Sequence, residues 1–177
     1  WVEKRAGNAE VKLRDLAFFN SAVYGGGQSL FRSSDNGDTW DTIEVEGLGP
    51  NGISSMTATE EVLYIADDGH VFSSHNGDEW IQTNIDLGGT ILTMGISGDS
   101  VYLTTGNGMV FYTKDEGQNW TKIQNTKTNS IVNSVTFLEG KIVMCTSEGL
   151  FSSIDAGATW YESNYGMTAM PIESLAA

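Results

Sequence analysis

The 177-residue chain holds one cysteine, two prolines and only nine lysines and arginines, and each scarcity excludes something. A single Cys145 admits no disulfide framework. It sits in an apolar stretch, where a thiol serves as a small buried side chain. No apolar run approaches the ~18 residues of a membrane-spanning helix. The first residues carry neither Met nor a charged-then-apolar leader pattern. Helical periodicity is missing as well, which leaves an all-β chain. Cations are few and unevenly placed: none lies between Arg32 and Lys114, while 13 acidic residues fall between Asp35 and Asp99. With a formal charge of −14, the chain is ill suited to nucleic acid or an acidic membrane surface, which demand clustered cations. A cationic partner or Ca²⁺ fits this field, but solubility and resistance to edge-to-edge pairing account for it more simply.

What the chain does have is 21 glycines and a strict beat. Trp40, Trp80, Trp120 and Trp160 stand 40 residues apart, and the residues ahead of them repeat too. The first unit reads Ser33, Asp35, Gly37, Thr39, Trp40, and the second Ser73, His75, Gly77, Glu79, Trp80. The third reads Thr113, Asp115, Gly117, Asn119, Trp120, and the fourth Ser153, Asp155, Gly157, Thr159, Trp160. One signature per unit of this length marks a repeat architecture.

Each unit divides into short β-type segments separated by Gly, Asn or Asp. Inner strands are expected at 13–18, 53–58, 91–96 and 132–137, and second strands at 22–24, 62–65, 101–103 and 142–145. Third strands carry Phe31, Phe72, Phe111 and Phe151, and a more polar fourth strand is expected to begin at each Trp. Four-stranded antiparallel units in series make a β-propeller. The expected layout is a single propeller domain or propeller fragment over 1–177, with blades at about 11–48, 49–88, 89–128 and 129–168. Residues 1–10 read as the outer strand of a preceding blade, and 169–177 as the inner strand of a following one. Three arrangements stay open: a piece of a longer propeller, a small ring with frayed ends, or a ring completed by a dimer.

The pattern Ser/Thr-x-Asp-x-Gly-x-Thr-Trp resembles the Asp-box, or bacterial neuraminidase repeat, over nearly the whole chain. His75 stands where the other units carry Asp, and Glu79 and Asn119 depart from Thr. The resemblance implies that Asp35, Asp115 and Asp155 accept backbone hydrogen bonds within their own turns, on the face opposite the usual ligand-binding loops. Sialidases of this kind use an arginine triad, a Tyr paired with an acid, and an acid/base Asp. A guanidinium clamp suits a carboxylate, but Arg5, Arg14 and Arg32 all fall near one end, and no triad assembles from them. Xyloglucan-cleaving relatives use two acids across a cleft. Asp15, Asp67 and Asp68 are acidic candidates, but no spacing pairs any two of them. Non-catalytic relatives include sorting-receptor (sortilin-like) ectodomains and a photosystem II assembly factor.

The expected functional face carries two sets of short turns. Asp67, Asp68 and His70 are its densest ionisable group, though their spacing matches no metal motif and fits a solvated turn. Asn107 and Glu148 occupy the corresponding turns of later units, and Tyr165 lies with Met167 and Met170 in the last interblade loop. These six, Asp67, Asp68, His70, Asn107, Glu148 and Tyr165, are the candidate ligand contacts. Asn119-Trp120-Thr121 satisfies a glycosylation sequon, but lies inside a signature turn. The reading is a non-catalytic propeller scaffold for a protein or glycan partner, outside the cytoplasm, with no catalytic residue, cofactor or metal. The alternatives are part of a secreted glycoside hydrolase with its catalytic groups elsewhere, and a structural module of a larger surface protein.

Overall fold

The computed structural model describes residues 12–83, 85, 87–107, 109–123, 132–138, 140–155 and 157–167. The expected end strands at 1–10 and 169–177, with Arg5 and Met170, lie outside the described residues, as does the loop 124–130. Among the described residues every element is a strand, and the chain is all-β.

Four antiparallel sheets follow one another, each with its strands in chain order. The first holds β1 (Asp15–Phe19), β2 (Ala22–Gly26), β3 (Leu30–Ser33) and β4 (Asp41–Ile43). The second holds β5 (Ser55–Ala58), β6 (Leu63–Ala66), β7 (Val71–Ser74) and β8 (Ile81–Thr83). The third holds β9 (Ile91–Ser97), β10 (Ser100–Thr105), β11 (Val110–Thr113) and β12 (Thr121–Ile123). The fourth holds β13 (Val132–Leu138), β14 (Lys141–Thr146), β15 (Gly149–Ser153) and β16 (Tyr161–Glu162). These are propeller blades. Each fourth strand starts one residue after its Trp rather than at it, because the indole belongs to the turn. The Trp40 Nε1 donates to Gly37 O at 3.2 Å, whereas the buried Nε1 atoms of Trp80, Trp120 and Trp160 have no hydrogen-bond partner among the described residues.

The sheets gather into two compact units, β1–β8 and β9–β16. In the first, strand alternation turns Ala17 and Phe19 of β1 toward the second sheet, where they join Tyr24, Leu30, Ile53, Met56, Leu63, Ile65 and Phe72 in one core. Polar ties pin the same seam. Asp15 Oδ2 accepts from Met56 N at 2.7 Å and Ser55 Oγ at 3.1 Å. Arg32 Nη1 meets Asp78 Oδ1 at 2.7 Å. In the second unit Phe137 stacks on Tyr102 at 5.2 Å, joined by Val110, Val135, Ile142 and Trp160. Glycines make these seams fit. A Cβ on Gly77 would sit 2.0 Å from Tyr24 Oη, and one on Gly157 would sit 2.7 Å from Ile123 Cδ1.

The signature turns are closed by short polar side chains, each supplying acceptors to backbone amides. In the first, Asp35 Oδ1 accepts from Ser33 Oγ and Thr39 N, both at 2.8 Å, and Oδ2 from Thr39 Oγ1 at 2.7 Å. Gly37 N donates back to Ser33 Oγ at 2.8 Å. The fourth turn repeats this with Ser153, Asp155, Gly157 and Thr159. The third uses Thr113, Asp115 and Gly117, and there the Nδ2 of Asn119 replaces the threonine hydroxyl, donating to Asp115 Oδ2 at 2.7 Å.

The second turn departs from the expected alignment. Ser74 and Asn76, not Ser73 and His75, fill the two key roles. Gly77 N donates to Ser74 Oγ at 2.8 Å, and Asn76 Oδ1 accepts from Asp78 N at 2.9 Å and Glu79 N at 2.8 Å. Ser73 is a strand residue opposite Ile81, and the His75 Nδ1 lies 3.2 Å from Glu61 O. The reason is a one-residue shortening of the turn. Asn36 and Gly37, like Glu116 and Gly117, take two consecutive left-handed positions, whereas the second turn has Gly77 alone. An extra residue earlier in the unit restores the tryptophan spacing. Ten positions separate the paired Val23 and Ser33, and eleven separate Leu63 and Ser74.

Two outcomes follow for these turns. Replacing Asn76 with Ala strips the acceptor from two amides and is expected to cost about 1 kcal/mol, while His75→Ala stays within about 0.5 kcal/mol, read from urea midpoints. Acid should also loosen the turns. Thr39 N, Thr39 Oγ1 and Ser33 Oγ hold Asp35 at about 2, and Thr159 Oγ1, Thr159 N and Ser153 Oγ hold Asp155 at about 2, from an ordinary 3.8. A lowered carboxylate contributes stability that is whole above the unfolded value and is lost as pH falls through the folded one. The urea midpoint is therefore expected to drop from about pH 4 downward, and Asp35→Asn to flatten that slope.

Candidate functional site

In the first unit, the β6–β7 turn and the loop 47–52 form one bonded assembly. Asp67 leads the turn and is 1% exposed. Its Oδ1 accepts from Gly69 N at 3.0 Å and His70 N at 2.8 Å, while Oδ2 crosses to Gly49 N at 2.9 Å. The backbone closes beside it, with Asp67 N donating to His70 O at 3.1 Å. A buried carboxylate needs such donors to remain charged. Burial pushes its pKa up, but the amides of Gly69, Gly49 and His70, with the His70 ring, outweigh that and hold it below the ordinary value.

His70 stands over this carboxylate, with Nδ1 3.0 Å from Asp67 Oδ1 and its ring tilted against Phe72 at 6.4 Å. A neutral ring that donates Nδ1–H to Asp67 keeps Nε2 as its acceptor. The side chain is 52% exposed. Asp68 accepts from Asn51 Nδ2. Arg14 Nη1 donates to Asn51 O at 2.7 Å, so the loop is held from both sides. Gly52 fits there at φ +70°, and a Cβ on it would collide with Gly27 O. Asn51, His70 and Asp68 are thus polar groups displayed on a rigid base.

The candidates of the second unit are bonded locally. Asn107 Oδ1 accepts from Thr105 Oγ1 at 2.5 Å, and its Nδ2 donates to Gly88 O at 2.9 Å, tying the turn after β10 to the loop ahead of β9. Glu148 N donates to Thr146 Oγ1 at 3.1 Å, leaving its side chain exposed. Tyr165 is fully exposed, beside the exposed Met167. Among the described residues no hydrogen bond joins Asn107, Glu148 and Tyr165 to one another.

Four of the charged residues named from sequence are occupied by partners within the protein. Asp15 and Asp67 spend their oxygens on amides and hydroxyls, and Arg14 and Arg32 spend their guanidinium groups on Asn51 and Asp78. Among the described residues no group of three His, Cys, Asp or Glu side chains could hold a metal. Nor is any helix among them long and apolar enough to cross a membrane. Sequence reasoning missed Asn51 and Gly49, whose only signal was the Gly–Asn richness of their loop, and it read Arg14 only against a substrate carboxylate.

Asp67→Ala would strand three amides and is expected to cost about 2–4 kcal/mol, whereas Asp68→Ala stays within about 0.5 kcal/mol, measured by denaturant unfolding.

Among known proteins the likeness is one of fold. YCF48 bound to D1 peptide is similar at a TM-score of 0.73 and 18% identity, over 92% of this chain and 62% of that one. YCF48 from Cyanidioschyzon merolae is similar at 0.75 and 16%, over 94% and 60%. An ancestral GH74 enzyme is similar at 0.73 and 15%, over 93% and 27%. The chain therefore spans about three fifths of the YCF48 chains. No curated protein matches it. The sequence profile of the DUF6242 beta propeller domain matches residues 10–130, and the chain, built of four-stranded blades, belongs to that β-propeller family.

Proposed function

We propose that the chain is a non-catalytic Asp-box propeller scaffold, acting outside the cytoplasm as one domain, and that its partner docks on Asn51, Asp68 and His70. The observation that carries this reading is the fate of Asp67. The carboxylate best placed for chemistry is buried beneath its turn and bonded to three amides, while the groups around it face outward on a fixed frame. Such an arrangement presents hydrogen-bond donors and acceptors without a nucleophile or an acid–base pair. A rigid platform loses little entropy on binding, which favours a short peptide or glycan that supplies its own shape.

The Asp-box assignment rests on the four Ser/Thr–Asp/Asn–Gly turns and their tryptophans. The protein-partner reading draws support from the YCF48 structure, which holds a peptide. Likeness to a GH74 enzyme motivates the rival reading, a glycoside hydrolase whose catalytic groups lie in other blades.

Peptide and glycan arrays probed with the chain, followed by titration of the best binder, separate these. The expected result is saturable binding that weakens about tenfold in the Asp68→Ala, His70→Ala double variant at unchanged melting temperature. Incubation of the protein with xyloglucan and sialosides should release no sugar. Turnover of either substrate would sink the scaffold reading.

A further inference from the structure

Once their internal bonds are subtracted, the docking groups of the first unit are left almost entirely with acceptors. The buried Asp67 is ionised and its oxygens only accept, so the His70 Nδ1 at 3.0 Å carries the ring proton. Nε2 is then a bare acceptor on a side chain that is 52% exposed. Asn51 spends one amide hydrogen on Asp68 Oδ2, which leaves its Oδ1 as a second acceptor. Asp68 Oδ1 is a third, on an exposed side chain. The other amide hydrogen of Asn51 is the one donor these three side chains retain.

Charge points the same way. Asp67 and Asp68 both belong to the turn, and the loop 47–52 packed against it carries no titratable side chain. Arg14 reaches that loop from ahead of β1, but its Nη1 is directed at the carbonyls of Asn51 and Ile53, at 2.7 and 3.4 Å. The ring that lies against His70 is that of Phe72, which is uncharged.

Resting on the docking proposed above, we infer that the partner is a peptide presenting an arginine or lysine, and that protonation of His70 releases it. The cation supplies N–H donors to His70 Nε2, Asn51 Oδ1 and the Asp68 carboxylate. A sugar hydroxyl accepts as well as donates and finds little to accept from here, and an anionic chain is repelled by Asp68. Imidazole changes charge between about pH 5 and pH 8, whereas carboxylates in general titrate below that window. On protonation Nδ1 keeps its bond to Asp67, and the change is confined to the exposed Nε2. That atom turns from acceptor to donor and adds a positive charge beside the docked one. Mild acid therefore switches recognition while the buried base stays assembled.

Two measurements test this. The first needs no partner: nitrogen-15 NMR of the full chain at about pH 7.5 should show the His70 proton on Nδ1 and Nε2 bare. The opposite tautomer overturns the inference. The second titrates the chain with short peptides of matched flanks carrying arginine, lysine, citrulline or glutamate at the centre. The arginine and lysine peptides should bind, and citrulline, the neutral isostere of arginine, about tenfold more weakly. The glutamate peptide should not bind. Between about pH 7.5 and pH 5 the arginine peptide should weaken about tenfold. His70→Gln, which keeps a neutral acceptor, should flatten that dependence, and His75→Ala should leave it in place. Asp68→Asn should weaken binding at both pH values, with circular dichroism showing each variant folded. Citrulline binding as well as arginine, a glycan or acidic peptide held through Asp68 and His70, or no effect of acid overturns the inference and leaves the docking site standing. A binder indifferent to the Asp68→Ala, His70→Ala double variant instead removes the docking site, and this inference with it.

Discussion

A short turn exposes backbone amides that no strand can pair, and each needs an acceptor. This chain meets that need with the smallest polar side chains available. Asp35, Asn76, Asp115 and Asp155 close one set of turns, and Asp67 and Thr105 close turns of the other set. Strand length, register and seam geometry all depend on turns that are complete within a few residues. Part of the acidity is therefore structural: the carboxylates of Asp35, Asp67, Asp115 and Asp155 hold the chain's own amides.

That dependence explains what was readable in advance. The tryptophan beat, the third-strand phenylalanines and the glycine of every turn are local marks, and they located four four-stranded sheets. The shortened second turn left no such mark. Ser73 and Ser74 are both hydroxyls, His75 and Asn76 both offer acceptors, and a compensating residue kept Trp80 on the beat. Only the pairing of Ser74 with Leu63 and the loss of one left-handed residue reveal the slip. Asn119 shows the opposite case, where a departure from threonine changes the donor and leaves the bond in place.

The candidate site was legible as a cluster but not as an assembly. Adjacency in sequence put Asp67, Asp68 and His70 together. Nothing in sequence joined them to Gly49, Asn51 and Arg14, since those bonds cross between 17 and 37 positions and depend on the first two sheets being packed. The inward turn of Asp67 was equally hidden, because a carboxylate at a loop tip reads as solvent-facing until its three amide donors are found. The site therefore consists of a buried anchor and an exposed rim.

The glycine sockets give the array a direction. Tyr24 of one sheet fills the socket of the next, as Ile123 does for Gly157. Knob and socket for a given seam thus belong to consecutive repeats, never to the same one. A gene duplication that copies one whole sheet carries its own socket but takes its knob from whatever precedes it. Selection for good seams therefore acts on half of one repeat together with half of the next. The heritable unit of packing is offset from the sheet that the eye would cut out, and it is this offset unit that recombination must preserve.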